Sequence, residues 1–212
     1  MTAGASKETH AMNTSASSPR RGKLAVAALI AAGLFALGCS VGGDVVAYDL
    51  PAESARYTFQ TETNGVTTVW EYTSDRPTDG DAPELQPCMG AVLGSEDTCR
   101  PEPLIFLRYD LGLALDNTAP AGRTHRITVV GYYQERLSAP PEVTALHVEA
   151  SFDGGKTWTP ARTRAAGKNT FTVEITHPGR DQVAGAVGLR ISAADSQGNT
   201  VKQTMPTAYR LS

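Results

Sequence analysis

The chain has 212 residues, 41% of them apolar, with 19 basic and 22 acidic side chains and a formal net charge of −3. This length allows one ordinary domain or two small ones. The slight acidity excludes a protein that coats nucleic acid or anionic lipid by long-range attraction.

Residues 1–13 are polar without an apolar period, so Met12 competes with Met1 as the start. Arg20, Arg21 and Lys23 then form a basic region, and Leu24 to Leu37 an apolar run too short to span a bilayer comfortably. Gly38-Cys39-Ser40 follows, and a small residue at the end of such a run marks an export signal, not a membrane helix. At Ala36-Leu37-Gly38-Cys39 the chain resembles bacterial lipoprotein precursors, departing from them in Ala36, where leucine is commonest. The resemblance implies cleavage before Cys39, a diacylglycerol on its thiol, and residence on the outer face of the cell membrane. An ordinary signal peptide with an incidental cysteine is the competing reading. Arg20-Arg21 suggests twin-arginine export, but Gly22 and Lys23 stand where that signal needs apolar residues, which favours general secretion.

The 1–38 leader holds four basic residues (Lys7, Arg20, Arg21, Lys23) and one acid (Glu8), so the 174 that follow hold 15 basic against 21 acidic, net −6. Such a chain needs its lipid to stay at a membrane, and a diacylated cysteine supplies the two acyl chains that stable anchoring requires. Residues 39–50 are the expected tether. With Cys39 lipidated, Cys88 and Cys99 remain as the only pair, and in an oxidising compartment they are expected to close a disulfide. Without Cys-x-x-Cys spacing or nearby histidines, a metal or redox site there is the weaker reading.

After residue 40, short apolar–polar alternations recur between Gly, Asn, Asp and Pro turns, which predicts an all-β protein. Tyr57, Phe59 and Thr61 share one face of a first strand. Val66, Thr68, Trp70 and Tyr72 share a face of a second, and Asn64-Gly65 suits a tight type I′ turn between them. Pro77, Pro83, Pro87, Pro101 and Pro103 make 74–103 a long loop. Alternation resumes from Leu107 to Leu115, then recurs with Ile127, Val129 and Tyr133; with Leu146, Val148, Ala150 and Phe152; with Phe171, Val173 and Ile175; and with Val187, Leu189, Ile191 and Ala193. Ser196-Gln197-Gly198-Asn199 turns into a closing strand that begins Val201, Gln203, Met205. About seven strands after residue 104 predict an immunoglobulin- or fibronectin-like β-sandwich over 104–212, preceded by a β-hairpin and disulfide loop over 51–103. The Cys…Trp…Cys spacing of antibody domains is missing.

Ser151-x-Asp153-x-Gly155-x-Thr157-Trp158 matches the Asp-box pattern, whose residue types suit a hairpin corner: Asp153 accepts from turn amides, Gly155 takes a conformation closed to other residues, and Trp158 packs beneath. A single copy does not make a propeller. The runs from Asn117 to His125, Val148 to Trp158, His177-Pro178 and Leu189 to Thr204, with Ala208-Tyr209, are similar in content and order to the C-terminal accessory β region of secreted actinobacterial subtilisin-like serine peptidases. The likeness extends more weakly through Tyr57 to Tyr109. It implies an accessory or protein-binding module without the catalytic domain, since no Asp-Ser/Thr-Gly, His-Gly-Thr-His or Gly-Thr-Ser-Met-Ala segment is present.

No motif names a reaction. His10, His125, His147 and His177 lie on separate segments without metal-ligand spacing, and neither a Gly-x-Ser-x-Gly elbow nor a phosphate-cradling loop occurs. The expectation is a non-enzyme with no cofactor and no metal. Its partners are the membrane, through Cys39, and a protein at the cell surface. A free-standing copy could also be the remnant of a larger gene. One alternative is an envelope glycan-binding module stacking sugars on Trp70, Tyr72, Tyr132 and Tyr133, which needs at least two rings exposed and coplanar. Another is a hydrolase using a carboxylate pair such as Glu149 with Asp153, or Glu71 with Asp110.

Overall fold

The computed structural model describes residues 50–78 and 100–212, and the backbone alone of β1 (Ala28–Ala31), β2 (Gly38–Val41) and β3 (Val45–Tyr48). The later strands are β4 (Ala55–Thr63), β5 (Val66–Ser74), β6 (Phe106–Asp110), β7 (Thr118–Ala119), β8 (Thr124–Tyr132), β9 (Val143–Ser151), β10 (Thr159–Pro160), β11 (Arg162–Gly167), β12 (Thr170–Thr176), β13 (Val187–Asp195) and β14 (Thr200–Leu211). Among the described residues there is no α-helix, only a 3-10 turn at Arg180–Gln182. The molecule is an all-β sandwich. One sheet runs β1-β4-β5-β14-β13-β9-β10, with β7 on the far end of β14; the other runs β11-β12-β8-β6; β2 and β3 form a separate ribbon, with Cys39 opposite Ala47.

The first hairpin follows from its two turn residues. Asn64 and Gly65 take φ of 51° and 78°, the left-handed pair that a type I′ turn needs, and Thr63 pairs with Val66 across it. The same ladder sets Tyr57 opposite Tyr72, Phe59 opposite Trp70 and Thr61 opposite Thr68, so the two faces read from the alternation coincide. An isolated ribbon is marginal in water. Here β5 pairs antiparallel with β14, from Glu71 opposite Thr200 to Thr67 opposite Thr204, so the hairpin extends the larger sheet across the 103/104 boundary. The Trp70 indole donates to the Ile105 carbonyl at 2.7 Å and so ties β5 to the entry of β6.

The core is the shared inner face of both sheets. Tyr57, Tyr72, Leu189, Ile191 and Val201 from the first meet Ile127, Val129, Phe171, Val173 and Ile175 from the second, all buried. A polar relay crosses it: the Tyr109 hydroxyl donates to Gln203 at 2.6 Å, and the Gln203 amide donates to Thr68 at 2.9 Å. Gly131 on β8 lies so close to β9 that an added Cβ would stand 2.7 Å from Val143 Cγ2, which leaves glycine as the only fit.

Three elements differ from the alternation. β6 stops at Asp110 instead of running to Leu115, because Gly112 takes φ of 56° and the Asp110 carboxylate accepts its N–H at 3.2 Å; Leu115 is fully exposed. β11, with the sequence Arg-Thr-Arg-Ala-Ala-Gly, has no alternation to betray it and is exposed at five of its six positions. It is a strand only because Lys168-Asn169 folds it onto β12, with Asn169 accepting from both Gly131 N–H and Val143 N–H at 2.8 Å. β14 runs past Met205 through a register shift around Pro206 to Leu211, where it pairs in parallel with β7.

Candidate functional site

The conspicuous side chains gather at the two ends of the sandwich. At the end where β9 leaves for β10, the Ser151 to Thr157 corner is built on one carboxylate. Asp153 Oδ1 accepts from Lys156 N–H at 3.0 Å, Thr157 N–H at 2.9 Å and Ser151 Oγ at 2.9 Å, while Oδ2 accepts from Thr157 Oγ1 at 2.6 Å. Ser151 Oγ in turn accepts Gly155 N–H at 2.8 Å, and Gly155 takes φ of 87°. These bonds, the Thr157 hydroxyl first among them, hold the Asp153 carboxyl down to about 2. Half-buried Trp158 lies below the corner with the Arg190 guanidinium 4.7 Å above its ring, and Arg190 donates to Glu149 at 2.7 Å. Every residue of the Asp-box serves the turn.

Beside this corner a histidine of β8 meets one that lies just past the end of β12. His125 and His177 stack with centroids 5.2 Å apart, and the Tyr209 and Phe152 rings close in on His177. His177 is buried. Its Nδ1 lies 2.9 Å from the Pro120 carbonyl, which can only accept, so Nδ1 carries the proton and Nε2 accepts from Tyr209 Oη at 2.8 Å. Burial lowers the His177 pKa below its ordinary value; the bond to Pro120 opposes this and His125 reinforces it. Spacing along the chain gave no sign of the pair, since β8 and β12 bring it together by register, His125 opposite Ile175. His147 lies exposed on β9, away from it.

The opposite end is built on Asp195, which caps the β13–β14 hairpin. Its Oδ1 accepts from Gln197 N–H at 2.8 Å and Asn199 N–H at 2.9 Å; its Oδ2 accepts from Tyr133 Oη at 2.9 Å and Asn199 Nδ2 at 2.8 Å. Asn199 passes the tie on, accepting Thr73 N–H at 3.1 Å, and Arg56 donates to Gly198 at 2.9 Å. Burial raises the Tyr133 pKa, and the bond to Asp195 adds to the shift.

Next to this network Arg100 pairs with Asp75, and Glu102 is largely buried. Burial lifts the Glu102 carboxyl to about 7, although a bond from Ser74 and the charge of Arg100 pull it down. Its Oε2 and the Tyr57 hydroxyl are both buried without a hydrogen-bond partner. A shallow cleft of about 250 Å³ opens here between Arg100, Arg136, Leu137 and Pro141; a second, of about 340 Å³, lies at the other end between Phe152, Pro160, Arg162 and Glu174. Neither brings two carboxylates together. Glu149 is tied to Arg190 while Asp153 holds its corner, and Glu71 faces Arg56 while Asp110 caps Gly112. Among the described residues no three His, Cys, Asp or Glu side chains converge as metal ligands.

The aromatic surface that sugar stacking needs is absent among the described residues. Trp70, Tyr72 and Tyr133 are 8%, 2% and 8% exposed; only Tyr132, at 45%, reaches solvent. Adjacent Tyr132 and Tyr133 do point to opposite faces, but the outward ring packs on Phe106 at 5.6 Å, and Trp70 and Phe59 continue that row inward as hydrophobic packing. Cys39 lies on β2, and Cys88 and Cys99 fall outside the described residues. No family model matches the chain, and no curated protein matches it either.

Proposed function

We propose that this chain is a lipid-anchored, non-catalytic accessory module on the outer face of the cell membrane, an immunoglobulin-like sandwich that binds protein. The lipid signal at Gly38-Cys39 supports the location. The strand order supports the fold type: β11-β12-β8-β6 in one sheet and β9-β13-β14 in the other match the four-plus-three arrangement of immunoglobulin domains, with the chain crossing between sheets after β8, β10 and β12. The observation that carries the non-catalytic reading is the use of the polar groups. Asp153, Asp195 and His177 each have their bonding atoms occupied by turn amides or strand-crossing partners, and the unpaired Oε2 of Glu102 is buried away from solvent. A general acid or base needs a free atom facing substrate. The likeness to peptidase accessory regions supports a protein as the ligand.

Anchoring is tested by intact mass and fractionation. Wild-type protein should partition with membranes and begin at a diacylated Cys39, and Cys39→Ser should stay unprocessed or appear in the medium. Soluble wild-type protein with an unmodified N-terminus would refute the anchor. The accessory role is tested by adding the purified protein to a secreted subtilisin-like peptidase cut back to its catalytic domain. A rise in that domain's melting temperature is expected, and no shift at saturating concentration counts against the reading.

A further inference from the structure

Among the described residues four strands lie at the outer edges of the two sheets once β1 is set aside, and three are built to refuse a neighbour. β10 is two residues long and contains Pro160; β11 carries Arg162 and Arg164 and a register break between Ala165 and Gly167; β6 is five residues long and follows Pro101 and Pro103. Short length, proline, positive charge and bulges are the devices that keep an edge from pairing. β4 has nine residues with no proline, no lysine and no bulge.

The hairpin register decides which of its backbone groups are free. Thr63 and Val66 form the bonded pair beside a two-residue turn, so Thr61, Phe59 and Tyr57 also turn their N–H and C=O toward β5. Arg56, Thr58, Gln60 and Glu62 therefore turn theirs outward. β1 occupies the middle of that edge, with Ala28 opposite Gln60 and Ile30 opposite Thr58. It belongs to the apolar run that the proposed lipoprotein processing removes, and the inference rests on that reading.

We infer that processing uncovers β4 for a second copy of this chain, and that the exported protein forms a two-fold dimer by antiparallel β4–β4 pairing. The side chains select one register. Centred on Phe59, Thr58 of one copy faces Gln60 of the other and Arg56 faces Glu62, so all four outward residues form ladder bonds and unlike charges meet at both ends. Phe59 then meets its own equivalent across the axis in a non-bonded pair, where side chains approach most closely. Moving the centre to Thr58 or Gln60 sets Arg56 opposite Gln60 or Asn64, and the charge match is lost. A two-fold contact must be self-complementary, and this sequence is so about Phe59.

Protein extracted from membranes in mild detergent is examined by intact mass and by native mass. The expected result is a chain beginning at Cys39 that is dimeric. Thr58→Pro removes an N–H that points away from β5, so the hairpin keeps its bonds while the dimer ladder breaks. This variant should be monomeric with an unchanged near-ultraviolet spectrum. Glu62→Arg should raise the dimer dissociation constant about tenfold or more through like-charge contacts at both ends. A wild-type monomer beginning at Cys39 overturns the inference and leaves the processing reading standing, as does a dimer indifferent to Thr58→Pro. A chain that retains residues 28–31 overturns both.

Discussion

Two hairpin corners of this sandwich use the same device at opposite ends, with different consequences. Asp153 and Asp195 each accept two backbone amides from the following four residues, and each second oxygen is also bonded, once at Asp153 and twice at Asp195. At Asp153 the second oxygen meets Thr157, four residues away on the same turn. At Asp195, 5% exposed, it meets Tyr133 at the end of the other sheet, and Asn199 carries the tie to β5. The first corner is a local turn that the sandwich carries. The second is a clasp between both sheets and the N-terminal hairpin. Identical turn chemistry becomes a fold determinant only when its outer oxygen is buried against a distant strand.

That contrast gives the largest expected effect. Asp195→Ala leaves the Tyr133 hydroxyl and the Asn199 amide buried without an acceptor and should lower the urea-unfolding free energy by about 3 kcal/mol. Tyr133 lies in the core beside it, so its near-ultraviolet signal should change with the same variant.

The neighbouring Glu102 sharpens the comparison through pH. Its folded pKa, about 7, lies above the ordinary 4.5, so between these values the native state binds more protons than the unfolded chain. As far as this group is concerned, stability should therefore be constant and greatest below pH 4.5, fall as pH rises toward 7, and be flat beyond. Glu102→Gln should remove that slope and stabilise the protein at pH 8 by about 2 kcal/mol, read from unfolding midpoints across pH.

The histidine end should show the reverse slope. The His177 pKa is lowered from 6.5, so below that value the unfolded chain takes up a proton that the native state resists. Its contribution is complete above pH 6.5 and is lost as pH falls below it. His177→Gln should flatten this limb in the same titration, and exchange protection of the amides around Tyr209 should weaken. The smallest effect belongs to the exposed corner: Asp153→Ala should shift the urea midpoint far less than Asp195→Ala and leave the Tyr133 signal unchanged. A loss as large as that of Asp195→Ala would mean that the Asp-box also fastens the sheets.

The sandwich was legible in the sequence because its inner-facing positions alternate. Tyr57 with Phe59, Ile127 with Val129, and Leu189 with Ile191 announce strands with one buried face. The Asn64-Gly65 turn and the Asp153 corner were legible for a related reason, since a positive φ or a carboxylate reaching its own turn amides needs only a few consecutive residues. β11 was hidden, because an exposed edge strand has no apolar face to show. The aromatic side chains stood open between two uses, with sugar stacking as the alternative to core packing. Trp70, Tyr72 and Tyr133 look the same in sequence whether they stack on a ligand or fill a core, and burial alone separates the two.

By itself, then, the sequence determined what local stereochemistry and period-two alternation can determine: an all-β chain, the first hairpin with its faces, and the Asp153 corner. Tertiary structure alone decided that β5 joins β14, that His125 stacks on His177, and that Asp195 receives Tyr133. Each of those depends on strand register between residues 52 or more positions apart, the separation of His125 from His177. At such distances the free energy comes from burying both faces of the core together, and no short stretch of chain carries the information.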